Sequence, residues 1–159
     1  YPLPEAQLDR FLMKVVIDYP EKDHEEQIVG ELLTGTGLKS GDIQQVCDVN
    51  GILAAQRAVA SVRVTPEVIA YAVRLARATR ESQGLALGAG TRGAISLVRV
   101  AKSFAAMAGR DFVIPDDIKS AALPVLRHRV SVAPELAISG QTADDALAAI
   151  VNHTEAPRR

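Results

Sequence analysis

Apolar positions recur at helical spacing over most of this chain, and the periodic runs are separated by proline, glycine or short polar residues. The best-punctuated run follows Gly88-Ala-Gly-Thr-Arg-Gly93 and continues without proline to Gly109. Thr91 is suited to cap its start and Gly109 to end it, which puts Arg92 in the first turn. For helix stability alone an arginine belongs at the other end, because the first turn has unpaired N–H groups and partial positive charge. Combined with a guanidinium, those same groups make a seat for an anion. Arg92 is therefore the first functional candidate.

The remaining elements follow in chain order. Pro4-Glu5 starts one helical turn that runs to Arg10. Phe11-Leu-Met-Lys-Val-Val-Ile-Asp18 reads as a strand buried on both faces of a parallel sheet, and since no comparable strand follows, its sheet is expected outside this chain. The opening at Tyr1, without an initiator methionine, fits an internal piece of a longer protein. A helix is expected over Glu21–Leu33, acidic at its start, then a glycine-containing connector, Thr34–Gly41. That connector lacks the Gly-Lys-Ser/Thr ending of a phosphate loop. A second helix is expected over Asp42–Val62, with Ile43, Val46, Cys47, Val49, Ile52, Leu53 and Val59 as its apolar set and Gly51 as a weak point. Thr65-Pro66-Glu67 is a strong start for a helix to Gln83, along which Arg74, Arg77 and Arg80 form a solvated face. Pro115 opens another helix whose Asp116 and Asp117 complement its positive end and whose Pro124 is expected to kink or split it. Val130–Val132 is a brief extended piece, and Thr142 caps a last helix to Val151 before a polar, frayed tail.

Composition narrows the class. The 159 residues are 48% hydrophobic and 23% charged, which excludes a disordered or fibrous chain, and 4% aromatic content with abundant alanine favours helix packing over a β-sandwich. A net charge of −1 argues against binding nucleic acid with the whole domain but leaves room for a local cationic site. Cys47 is the sole cysteine, so no internal disulfide can form, and it reads as a buried, inert thiol. No apolar run reaches the length of a membrane span and no signal peptide opens the chain, so a reducing, cytoplasmic compartment is expected. His24, His128 and His153 are scattered, with no nucleophile partner and no metal-ligand spacing, so no self-contained catalytic site or metal centre is expected.

Several segments together carry a family resemblance. Tyr1-Pro-Leu-Pro-Glu-Ala-Gln-Leu-Asp-Arg-Phe-Leu-Met-Lys14, Ala78-Thr-Arg80, Leu87-Gly-Ala-Gly-Thr-Arg-Gly-Ala94, Gly109-Arg-Asp-Phe-Val-Ile-Pro-Asp-Asp-Ile118 and Val125-Leu-Arg-His-Arg129 resemble, in order, signatures of MoxR-type AAA+ ATPases. Such proteins are ATP-driven rings associated with chaperone-like maturation of protein complexes and metal-centre insertion, similar in build to the ATPase subunit of magnesium chelatase. The resemblance implies a mainly α fold: a helical-bundle AAA+ lid with one residual core β-strand near the N-terminus. Residues 1–20 would be the tail end of the nucleotide core, with the arginine-finger segment and its last strand. Residues 21–41 would be a connecting helix and loop, 42–153 the lid, and 154–159 a frayed tail.

The resemblance also implies roles for two arginines. Arg10 matches the arginine finger, which acts in trans on the γ-phosphate bound by the neighbouring subunit. Arg92, with Thr91 beside it, matches the second sensor, which reaches the nucleotide of its own subunit. A guanidinium suits both tasks, since it is planar, always charged and forked toward phosphoryl oxygens. The family pattern Ala-Ser-Pro-Arg is here Ala89-Gly-Thr-Arg92, which predicts a looser turn, and Ile114 stands where a threonine cap would precede Pro115. The function implied is a lid that senses nucleotide and contributes to ATP hydrolysis in an oligomeric chaperone-like ring, inactive alone because the Walker motifs are absent from the chain. ATP and Mg²⁺ belong to the full-length parent, and no cofactor is expected on this chain by itself. Neighbouring subunits and client protein complexes are the implied partners, and nucleic acid is not expected among them. Two other readings stand beside this one: a non-enzymatic helical module whose Arg74, Arg77 and Arg80 bind an acidic protein or nucleic acid, and a magnesium-chelatase-type lid.

Overall fold

A computed structural model of the chain describes residues 3–157. The ends of the expected N-terminal block and tail, Tyr1–Pro2 and Arg158–Arg159, lie outside the described residues. The fold is mainly α: α1 (Glu5–Leu8), α2 (Lys22–Thr34), α3 (Val49–Ser61), α4 (Pro66–Glu81), α5 (Thr91–Met107), α6 (Pro115–Leu126), α7 (Pro134–Ile138) and α8 (Ala143–His153). A two-stranded antiparallel sheet joins β1 (Leu85–Leu87) to β2 (Ser131–Val132), with Leu85 opposite Val132 and Leu87 opposite Ser131. The chain divides into two compact units, one of residues 1–14 and 56–159, the other of residues 15–55.

The first unit holds the core. Tyr71, Ala72 and Leu75 of α4, Leu97, Ala101 and Ala105 of α5, Ile118, Ala121, Ala122, Val125 and Leu126 of α6, and Leu147 of α8 are fully or almost fully buried. Alanines recur at the contacts, which lets helix axes approach closely, as the alanine-rich, tryptophan-free composition anticipates. Local chemistry sets the helix ends. Pro66 is the first residue of α4, Gly109 ends α5 at φ 71° with the Arg110 N–H returning to the Ala105 carbonyl, and Thr142 and Asp145 cap α8 reciprocally. Ile114 offers no side-chain cap to α6; only the reciprocal half of a capping box forms, with the Asp117 carboxylate accepting the Ile114 N–H at 2.9 Å while it takes a bidentate Arg110 at 2.6 and 2.8 Å. Pro124 does not split α6, which continues through it to Leu126. The Pro124 carbonyl accepts the Lys14 N–H at 2.7 Å.

Three expectations are corrected. The strand expected over Phe11–Asp18 does not form: the segment is non-helical and unpaired into any sheet, and Phe11, Leu12, Val15, Val16 and Ile17 are exposed. A strand's stability lies in its neighbours' hydrogen bonds, and no strand among the described residues runs beside it. The sheet is instead formed by β1 and β2, short segments with little apolar patterning. The helix expected over Asp42–Val62 starts only at Val49, because the Asp48 carboxylate accepts the Gly51 N–H at 2.7 Å and so fixes a later N-terminus. Cys47, expected to be buried, lies before that start and is exposed.

The second unit has a different character. Its helix α2 exposes Ile28, Val29, Leu32 and Leu33, and none of the unit's described residues is buried. Gly35, at φ 68°, ends α2 in the left-handed conformation.

Candidate functional site

Arg92 is the second residue of α5, and the turn ahead of it is fixed by packing. A side chain at Gly88 would meet the backbone N and Cα of Arg80 at 2.6 Å, so this loop lies directly on α4. One residue on, the buried Ala89 N–H donates to the hydroxyl of Thr79 at 2.9 Å, and Thr79, fully buried, donates to the Ala76 carbonyl at 2.7 Å. The turn predicted to be loose for want of a proline is thus tied to α4 at two consecutive residues. Gly90, not Thr91, occupies the N-cap position; Thr91 is the first helical residue and makes no side-chain cap. The Gly93 N–H goes to the Gly90 carbonyl at 2.9 Å, and without a capping hydroxyl the Thr91 and Arg92 N–H groups keep their donor capacity.

Arg92 does not stand alone. Its Nη1 donates to Oδ2 of Asp9 at 2.9 Å, and the other oxygen of that carboxylate, Oδ1, accepts from Nε of Arg129 at 3.0 Å. Arg129 has a side chain only 1% exposed, whereas Arg92 is 54% exposed and Asp9 32%. Burial disfavours a charge on Arg129, and the Asp9 carboxylate offsets this. The rest of the guanidinium is spent on carbonyls: Nη2 donates to those of Asp9 (3.0 Å) and Phe11 (2.5 Å), and Nη1 to those of Leu12 (3.2 Å) and Val125. A side chain at Gly93 would crowd Ala89 and Leu126 at 3.1 and 3.2 Å, so its absence lets the start of α5 lie close against α6.

Arg10 sits between the carbonyls that Arg129 holds. It is exposed, and its side chain has no partner among the described residues. The carboxylate beside it in sequence, Asp9, is engaged by Arg92 and Arg129 instead. His128 packs against the same segment, with Nε2 at 3.1 Å from the Phe11 carbonyl and 2.8 Å from Nη1 of Arg129, and with a buried Nδ1 that has no partner. Burial holds its imidazole below the usual histidine range; the Arg129 and Lys14 charges add to that, while the Phe11 carbonyl and Asp9 oppose it. Asp9, Lys14, Gly88, Gly90, Arg127 and His128 line a cleft of about 500 Å³. Arg127 is already paired with Asp144 at 2.9 Å.

The structure thus brings Arg92 and the Arg10 segment to one place, through Asp9 and Arg129, to which the sequence reading gave no role. Arg129 was within reach of that reading, lying in the Val125–Arg129 signature; what sequence could not supply was its pairing with a carboxylate 120 positions away. The donor set suits a phosphate: an exposed guanidinium at a helix N-terminus, paired with a carboxylate that lines the cleft. Among the described residues no group of three carboxylates, histidines or cysteines is placed to hold a metal ion. The other arginines are largely committed. Arg74 donates to the Glu155 carbonyl at 3.2 Å and lies 5.6 Å from the Tyr71 ring centroid, and Arg77 pairs with Glu81 one turn along.

Comparison with known proteins gives this geometry its class. Residues 77–150 match the model of the AAA lid domain, so the α4–α8 region with Arg92 is an AAA+ lid. The particular family is that of the MoxR proteins, and the chain is MoxR-type AAA+ sequence. It is 33% identical to the uncharacterized protein YeaC of Bacillus subtilis (strain 168) over 99% of this chain and 48% of that protein. It is 32% identical to chaperone MoxR1 of Mycobacterium tuberculosis over 87% of this chain and 41% of that protein. A crystal structure from Cytophaga hutchinsonii, named as a presumed ATPase, superposes with a TM-score of 0.85 at 29% identity, covering 99% of this chain and 50% of its own. The chain spans about half the length of the curated relatives it matches.

Proposed function

We propose that this chain is the nucleotide-sensing lid of a MoxR-like ATPase that works as a chaperone-like ring in the cytoplasm, with ATP and Mg²⁺ held chiefly by parts of the full-length protein beyond these residues. The observation that carries the reading is Arg92: a half-exposed guanidinium on the first turn of α5, already holding an anionic group, the Asp9 carboxylate, which lines the cleft. A carboxylate and a phosphate compete for the same fork. Arg92 would reach the phosphates of its own subunit, with the Thr91 hydroxyl and the backbone N–H groups of Thr91 and Arg92 adding donors. Arg10, exposed and unpartnered on a backbone fixed from both sides, would serve the neighbouring subunit's γ-phosphate. Both would stabilise charge that spreads over phosphoryl oxygens as the bond to the leaving group breaks.

In the full-length gene product, Arg92→Ala and Arg10→Ala are each expected to lower ATP turnover by tenfold or more, since arginine fingers contribute roughly 10³ to 10⁵ in rate, while circular dichroism stays that of the parent. Mixing separates the two roles. Arg10→Ala subunits mixed with Walker-defective subunits that retain Arg10 should regain turnover, and Arg92→Ala subunits should not. Parental turnover in both single variants would refute the assignment. The rival module reading, with Arg74, Arg77 and Arg80 as a binding patch, has no specific support, because two of those arginines are engaged within the chain. No helix among the described residues is long and apolar enough to cross a membrane.

A further inference from the structure

Asp9 holds two arginines of very different standing. The Arg129 arm is buried, and its guanidinium is fixed in addition by four backbone carbonyls, three of them, of Asp9, Phe11 and Leu12, flanking Arg10. The Arg92 arm is a single contact from a half-exposed side chain. Breaking a buried, multiply bonded pair leaves an uncompensated charge, whereas an exposed pair gains little over water. An incoming anion therefore displaces Asp9 from Arg92 and not from Arg129. The carboxylate then stays with the Arg10 segment and Arg92 goes to the phosphate.

We propose that Asp9 is a positioning residue that occupies Arg92 in place of phosphate and joins the nucleotide-sensing arginine to the segment carrying Arg10. With Asp9 on Arg92, one carboxylate links both arginines, so the Arg10 backbone is restrained from α5 as well as from Arg129. Nucleotide at Arg92 removes the α5 restraint alone. This deepens the reading of Arg92 as a phosphate contact and rests on it.

The two ideas separate in a double-mutant cycle on the full-length gene product, titrated with ADP and Mg²⁺. Arg92→Ala should weaken ADP binding about tenfold or more; unchanged affinity would remove the phosphate contact and this inference with it. Given that loss, Asp9→Asn is expected to tighten ADP binding two- to fivefold, the scale of an exposed ion pair worth up to ~1 kcal/mol, and to have no effect in the Arg92→Ala background. Equal or weaker binding in Asp9→Asn overturns the inference while leaving Arg92 its role. An equal gain in both backgrounds also overturns it, because removal of a negative charge near the nucleotide would then explain the effect without any bond to Arg92. Asparagine keeps an acceptor for Arg129; should that variant fail to fold, Asp9→Ser removes the charge, keeps an oxygen, and is read against the same outcomes.

Discussion

His128 shows how one residue's surroundings make the N-terminal segment sensitive to acid. Its ring is pressed between the Phe11 carbonyl and the Arg129 guanidinium, and its Nδ1 is buried without a partner. The folded state favours the neutral ring. A histidine whose folded pKa is depressed binds its proton more readily when unfolded, so its contribution to stability is complete above the unfolded value of about 6.5 and is lost as pH falls below it. The melting temperature is expected to fall over the acid window below about pH 6.5. Melts of His128→Gln should be flatter over that window, since glutamine offers a donor to Phe11 and has no proton to take up. Parallel pH profiles for the two proteins would show that His128 is not the titrating group. The same neighbourhood marks where sequence alone stops. The Arg92 placement could be read from Gly88–Gly93, a local signal, but the contacts that Asp9 and Phe11 make with Arg92, His128 and Arg129 are tertiary and span 83 to 120 positions.

The connection between α4 and the N-terminus of α5 decides how well Arg92 is held. Thr79 carries it, because its buried hydroxyl is the acceptor for the Ala89 N–H. Thr79→Val preserves shape and leaves that buried N–H unpaired, at about 1–3 kcal/mol. In a chain of this size that is expected to lower the melting temperature by roughly 2–4 °C per kcal/mol. Thr79→Ser, which keeps the hydroxyl, should recover most of the loss in the same melt; an equal loss in both variants would assign the cost to packing. Elements of this kind were legible where punctuation is local: Pro66 and Pro115 at helix starts, Gly109 at an end, Thr142 at a cap. Thr79 itself lay within a recognised signature, yet its job depends on a loop ten residues away. The Phe11–Asp18 segment failed for the opposite reason, since its β-branched pattern describes a residue's preference and not the presence of a neighbouring strand. Asp48 moved the start of α3 past Cys47 by capping at a position the apolar periodicity had run through.

The molecule as a whole has two units of unequal burial, and that difference predicts a difference in stability. Residues 56–157 contain the shared core of α4, α5, α6 and α8, with Leu75, Leu97, Ile118, Val125 and Leu147 fully buried. Among the described residues of 15–55 none is buried, and Ile28, Val29, Leu32 and Leu33 of α2 leave apolar surface in water. Helical hydrogen bonds with no packed face behind them open locally, at a free energy near that of an isolated helix, whereas amides of a packed core exchange by larger openings. Amide hydrogen exchange on the 159-residue chain is therefore expected to be at least roughly 100-fold faster over Lys22–Thr34 than over Val68–Thr79 or Leu97–Ala105. Limited proteolysis should cut first between Val15 and Ala55, leaving the lid as a resistant product. Protection over α2 equal to that over α5 would refute the prediction. The outcome bears on function directly. A nucleotide-sensing lid needs Arg92 carried on a body that keeps its shape when the phosphate arrives, and only the first unit has the buried core to provide one.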